Sequence, residues 1–201
     1  DAIRYFLLRE VTFGNDGVFN NELFILKTNA DLSNLLGNLV SRTISMVEKY
    51  FGGVIPSQKE ILDVDLNLIN NVKNLKNIVT KNMDELKISN ALSEIFNVIS
   101  LSNKYIDETE PWVLVKDESK KDRLGTVLYN LCESIRVVSI LLSPFMPDTS
   151  LKIKQKLNYK LDNFDSIENF DGTESGVSIN KGQNLFPRID VEKKLEELKN
   201  S

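Results

Sequence analysis

Histidine is missing altogether from this sequence, and with it the commonest general base and metal ligand at neutral pH. A single cysteine, Cys132, excludes an internal disulfide framework and fits a reducing cytosol. It sits among Leu128, Leu131 and Ile135, which favours a buried, inert thiol over a reactive one. No Cys/His zinc pattern, glycine-rich phosphate loop or nucleophile elbow occurs, so the chemistry of any parent enzyme is expected outside these residues. Nine glycines and five prolines among 201 residues are few for a chain built on tight turns, which favours helices over an all-β fold. There is no basic excess either. A net charge of -4 argues against a nonspecific nucleic-acid binder, yet leaves room for a local site reading a few exposed bases by stacking and hydrogen bonding. No basic stretch leads into an apolar run at the start, and the most apolar segment, 137–146, is too short for a membrane span. The expectation is a soluble, cytoplasmic fragment without a membrane partner.

What is present is helical periodicity. Hydrophobic residues make up 41% of the chain, enough for a sizeable core. Residues 1–13 place Ile3, Phe6, Leu7 and Val11 on one face and end at the turn-forming Gly14-Asn15-Asp16-Gly17. Starting in mid-helix without methionine points to a truncation. A long helix is expected over about 21–50. Leu32, Leu35, Leu36, Leu39, Ile44 and Val47 form its apolar stripe, and Asn34, Asn38, Ser41, Arg42 and Ser45 its polar one. Gly52-Gly53 stops it, and a further helix is expected from about Ser57, with Leu68, Val72, Leu75 and Val79 at helical spacing. After a break near Asn82, another runs to about Tyr105, and residues 107–112 read as an acidic connection. The most apolar helix, about 119–142, is expected at the centre of the bundle, followed by a shorter one after Pro147. Residues 161–182 lose all periodicity and read as loop and extended chain, with a last short helix at about 190–199. The fold class is all-α: an antiparallel helix bundle with a mostly irregular C-terminal extension.

Four stretches carry a resemblance. Residues 1–10 (DAIRYFLLRE) with 13–19 (FGNDGVF), 31–42 (DLSNLLGNLVSR), 105–112 (YIDETEPW) and 141–147 (LLSPFMP) occur in this order. Together they resemble the carboxy-terminal part of methionyl-tRNA synthetases, over most of residues 1–157. The resemblance implies a class I synthetase anticodon-binding bundle over 21–160. Residues 1–20 would be the tail of the stem-contact region, and 161–201 a segment packing back toward the missing catalytic domain. It implies methionine tRNA with a CAU anticodon as partner, alongside the protein's own catalytic domain. It also implies a parent enzyme that ligates methionine to its tRNA using ATP and magnesium, with no cofactor in this fragment. Two alternatives stay open. One is the equivalent bundle of another class I synthetase, such as the leucyl, valyl or cysteinyl enzyme. The other is a helical protein-interaction scaffold, which the acidic balance would suit.

Unpaired anticodon bases offer faces to stack on and edges to bond. Asn38 and Arg42 are four apart and so lie side by side on one helix face, an amide that both donates and accepts beside a planar fork of donors. Trp112 is the only tryptophan, and Pro111 before it fixes the local backbone. The resemblance gives Trp112 the stacking role on the first anticodon base, cytosine, and gives Asn38 and Arg42 the reading of the anticodon. Taken alone, Asn38 and Arg42 are an ordinary solvated face and Trp112 a partly buried ring. The surrounding motifs reverse that reading. Asp16, Asp31, Glu108 and Glu110 are taken as turn, cap and surface charges, and no catalytic residue or metal ligand is assigned.

Overall fold

A computed structural model describes residues 1–11 and 14–200. Helix α1 spans Ala2–Glu10; Thr12 and Phe13, where the first expected helix would end, lie outside the described residues. Of the apolar residues expected to share its inner face, Phe6 is buried, whereas Ile3 and Leu7 are exposed. Tyr5 turns inward instead. Its ring sits 4.8 Å from that of Phe96, and its hydroxyl donates to Asp31 at 2.7 Å, so one polar contact and one ring contact set the helix's rotation. Asp31 is thus a buried-side acceptor rather than a cap.

The expected long helix is continuous in backbone conformation from Asn21 to Phe51 but not uniform. Helix α2 (Asn21–Lys27) widens into a π-helical stretch over Thr28–Gly37 before narrowing into α3 (Asn38–Phe51). Gly52 (φ 60) and Gly53 (φ 79) adopt the left-handed conformation that ends α3, where glycine carries no Cβ penalty. Residues 55–62 then run extended, and α4 starts at Asp63, not at Ser57. The reason is tertiary. The amides of Lys59 and Glu60 both donate to Thr126 Oγ1 at 2.9 Å, and Gln58 donates to Asn130, so this stretch is bonded sideways to another helix instead of along its own axis.

Helices α4 (Asp63–Asp84) and α5 (Ile88–Thr109) form an antiparallel hairpin, closed by a turn with Leu86 at φ 57. Helix α5 continues through Thr109, so part of the expected acidic connection is helical. A one-turn helix α6 (Pro111–Leu114) and a 3-10 turn lead into α7 (Lys121–Leu142), and α8 (Pro147–Leu157) follows. Helix α7 is the axis of the bundle, packed against α3, α4, α5 and α8. The helical run Glu118–Leu142 is long and apolar enough to cross a membrane by length and composition, beyond what the 137–146 stretch implied. Its apolar window is wholly buried among the other helices, the mark of a core helix.

Two polar networks thread this core. Asp65 takes both Arg123 nitrogens, at 2.7 and 2.8 Å, and the Tyr105 hydroxyl at 2.5 Å, while Asn130 donates to that hydroxyl. Glu133 and Arg136, both fully buried, pair at 2.7 Å. Glu133 also accepts from the Gly172 amide and the Thr173 hydroxyl, and Arg136 donates to the carbonyls of Leu161 and Ser166. Every charge is matched, which buried ions require. The second network fastens the C-terminal extension to α7. That extension is irregular as expected, apart from one 3-10 turn and an isolated antiparallel bridge between Val54 and Ser178. Further on, Asn29 exchanges two 2.8 Å hydrogen bonds with the backbone of Ile189, and Asp190 caps α9 (Val191–Lys199).

Candidate functional site

Helical periodicity puts the polar stripe of the long helix outside. Asn34, Asn38, Ser41 and Ser45 are exposed, while Leu36, Leu39, Val40, Ile44 and Val47 are buried. The π-helical stretch stops at Gly37, so Asn38 opens α3 just where the helix regains its narrower pitch. Such wide turns recur at functional sites because they rotate the side chains beyond them.

Arg42 is not a free guanidinium. Its Nη2 lies 2.7 Å from Asp107 Oδ1, and its side chain is 31% exposed, so the fork is held in place with donors to spare. Asp107 sits in the last turn of α5. Two residues past Thr109 the chain has already reversed, because Glu110 adopts φ 44, ψ 61, a left-handed conformation that costs a side-chain-bearing residue about 1–2 kcal/mol. Pro111 then occupies the first position of α6, where its fixed φ suits a helix start and its missing amide proton is no loss. Pro111 is itself buried, so its part is to aim its neighbour. Trp112 emerges 40% exposed, flanked by Val113 and Val115 at similar exposure. The ion pair therefore ties the Asn38/Arg42 face to the end of α5 from which the indole projects. Among the described residues, no hydrogen bond, ion pair or ring contact joins Trp112 directly to Asn38 or Arg42.

An open groove of about 480 Å³ runs beside this face. Asn34, Asn38 and Ser41 form one wall; Asn184, Phe186 and Arg188 of the C-terminal extension form the other. The polar stripe is legible from spacing, but Asp107 and the opposing wall are not. Only the apolar Leu185-Phe186-Pro187 run in a polar stretch hints that those residues pack on something.

Glu108 is a surface charge paired with Lys104 at 3.1 Å. Cys132 is fully buried, and burial pushes its thiol up to about 12, which keeps it protonated at neutral pH. Among the described residues, no group of three His, Cys, Asp or Glu side chains converges in a way that could hold a metal ion.

Comparison with known proteins assigns most of the chain. Residues 55–200 match the family model described as the anticodon binding domain of methionyl tRNA ligase, and residues 1–44 match that of class I tRNA synthetases (M). Asn38 and Arg42 fall in the second match and Trp112 in the first. Methionine–tRNA ligases of Clostridium tetani and Clostridium perfringens are each 56% identical over 98% of this chain, which spans 31% of their length. Methionyl-tRNA synthetase of Mycobacterium tuberculosis in its free state superposes with a TM-score of 0.87 at 34% identity, covering 94% of this chain and 39% of that one. The same enzyme bound by methionyl-adenylate superposes with a TM-score of 0.86, covering 92% and 37%.

Proposed function

Because the chain belongs to the family of anticodon-binding domains of methionyl-tRNA ligases, we propose that it reads the CAU anticodon of methionine tRNA through Trp112, Asn38 and Arg42. Trp112 stacks on the first anticodon base, and Asn38 and Arg42 bond the edges of the anticodon bases, the first included. One observation carries this reading: the Arg42–Asp107 ion pair holds the polar face against the end of α5, beside a half-exposed indole set out by Glu110 and Pro111. A stacking contact is worth about 1–3 kcal/mol, and a mismatched base costs about 1–3 kcal/mol in protein–DNA cases. Three such residues suffice for orders of magnitude in discrimination without a basic surface.

The parent enzyme, in this proposal, activates methionine with ATP and magnesium on a catalytic domain and transfers it to the tRNA in the cytoplasm. That domain packs against residues 1–20, where Ile3, Leu7 and Phe19 stand exposed, and against the C-terminal extension. The fragment binds RNA and catalyses neither step.

The test titrates the chain with an anticodon stem-loop bearing CAU, and with the same RNA altered at the first anticodon base, following Trp112 fluorescence. The CAU form is expected to quench at a concentration at least tenfold lower, an estimate from one lost stacking or edge contact. Equal responses overturn the reading. In the full-length enzyme, Trp112→Ala is expected to slow aminoacylation while sparing methionine activation. Equal losses in both assays would assign Trp112 to folding.

A further inference from the structure

The site has an uneven charge environment. Residues 107–118, around Trp112, hold five acidic side chains against one lysine, whereas residues 151–160 hold four lysines and no acid. The lysine-rich segment covers most of α8, which packs against α7 and α3. Of the four, Lys154 is turned to Asp162 and Lys160 to Glu174, while Lys152 and Lys156 face a groove of about 460 Å³ floored by the 180–185 loop.

That groove neighbours the one beside Asn38, with which it shares Asn184. A small cavity of about 50 Å³ lies between them, sharing Gly37, Ser41 and Asn184 with the first and Lys156, Gly182 and Leu185 with the second. The shared lining residues make the two grooves neighbours in one furrow interrupted by the 182–185 loop, with the polar face at one end and the two lysines at the other. Among the described residues no carboxylate pairs with Lys152 or Lys156. Lys156 donates to the Lys181 carbonyl, and Lys181 in turn is held by Glu48 at 2.9 Å. Partial burial pulls the Lys156 ammonium below the ordinary lysine value, as befits a cation short of anionic partners.

We propose that Lys152 and Lys156 form a phosphate track that carries the RNA backbone away from the anticodon-reading face. The proposal rests on the anticodon reading above. Bases drawn to Trp112 would bring their phosphates past residues 107–118, where Asp107, Glu108 and Glu118 are already paired with Arg42, Lys104 and Lys121 and little positive charge is left to hold them. Arg42, committed to Asp107, offers little net positive charge of its own. The furrow offers another route, ending on two ammonium groups that no carboxylate neutralises among the described residues. Phosphate contacts of this kind position an RNA without reading its sequence.

The experiment measures binding of the CAU stem-loop and its first-base variant over a range of salt. Removing a phosphate-binding lysine is expected to reduce the slope of log affinity against log salt by about 0.7–0.9. Lys152→Ala with Lys156→Ala should therefore lower it by about twice that, and weaken both RNAs by the same factor. Lys152→Glu alone leaves the Lys156–Lys181 contact intact and should move the slope in the same direction. An unchanged slope in either variant overturns the track. Wild-type chain that fails to tell the two RNAs apart, yet loses slope in the variants, overturns the anticodon reading while leaving the track standing. Absence of RNA binding at low salt overturns both.

Discussion

Arg136 shows how far a single side chain can be constrained. It is fully buried, with Glu133 on one side and the backbone of residues 161–173 on the other, and Gly172 lies so close that a Cβ there would stand 2.0 Å from Arg136 Nη2. Gly172→Ala must therefore shift the guanidinium or the backbone at 172 and loosen the buried pair. Losing such a pair outright costs about 3–5 kcal/mol, so urea unfolding is expected to show a loss of about 1 kcal/mol or more, bounded by that figure. A loss under about 1 kcal/mol would mean that Arg136 has somewhere else to go. None of this was visible in the sequence, where Gly172 is one of several glycines in an aperiodic stretch. The exposure of Asn38 was legible from helical spacing, whereas the roles of Asn38, Arg42 and Trp112 came from the motifs around them and not from spacing or a lone indole. Asp107 was not legible, because its pairing with Arg42 joins residues far apart in sequence.

At the scale of elements, the hinge between α5 and α6 decides where the indole points. Glu110 holds a backbone conformation natural to glycine, and it does so immediately before a proline, which narrows its options further. Glu110→Gly is expected to keep stability within about 1 kcal/mol of wild type, relief of strain being offset by a freer unfolded chain. Glu110→Val, β-branched and so more strained at positive φ than Glu, should be less stable than both wild type and Glu110→Gly. It should also shift Trp112 emission as α6 reorients, and identical spectra would show that the hinge does not govern the ring. Periodicity foretold that α5 would end near here and that a long helix would carry the polar face. It did not foretell that α5, packed against α7 and α1, would reach Thr109, nor that Thr28–Gly37, packed against α5 and α1, would widen. The late start of α4 has a tertiary origin. Its capping acid, Asp65, accepts from the Leu62 amide at 2.8 Å while also serving Arg123 on another helix.

For the molecule as a whole, burial of weak acids along the bundle sets an alkaline limit. Burial pushes Cys132 and Tyr129 each up to about 12, and raises Tyr105 and Tyr5 further still, with Asp65 and Asp31 adding to the effect. The unfolded chain releases these protons from about pH 9–10 onward, whereas the folded chain retains them. Above that pH the native state binds more protons than the unfolded one, so stability falls as pH rises toward 12 and is unaffected by these groups below pH 9. Urea midpoints measured across this range should decline steadily; a flat profile would mean that the phenols are open to solvent. The sealed thiol has a practical corollary. Since the chain's single sulfhydryl is shut away from reagents, a cysteine engineered beside Asn38 or on α8 would be the sole handle for a spin label or fluorophore. Contact distances along the furrow would then be measurable without first stripping out any native residue.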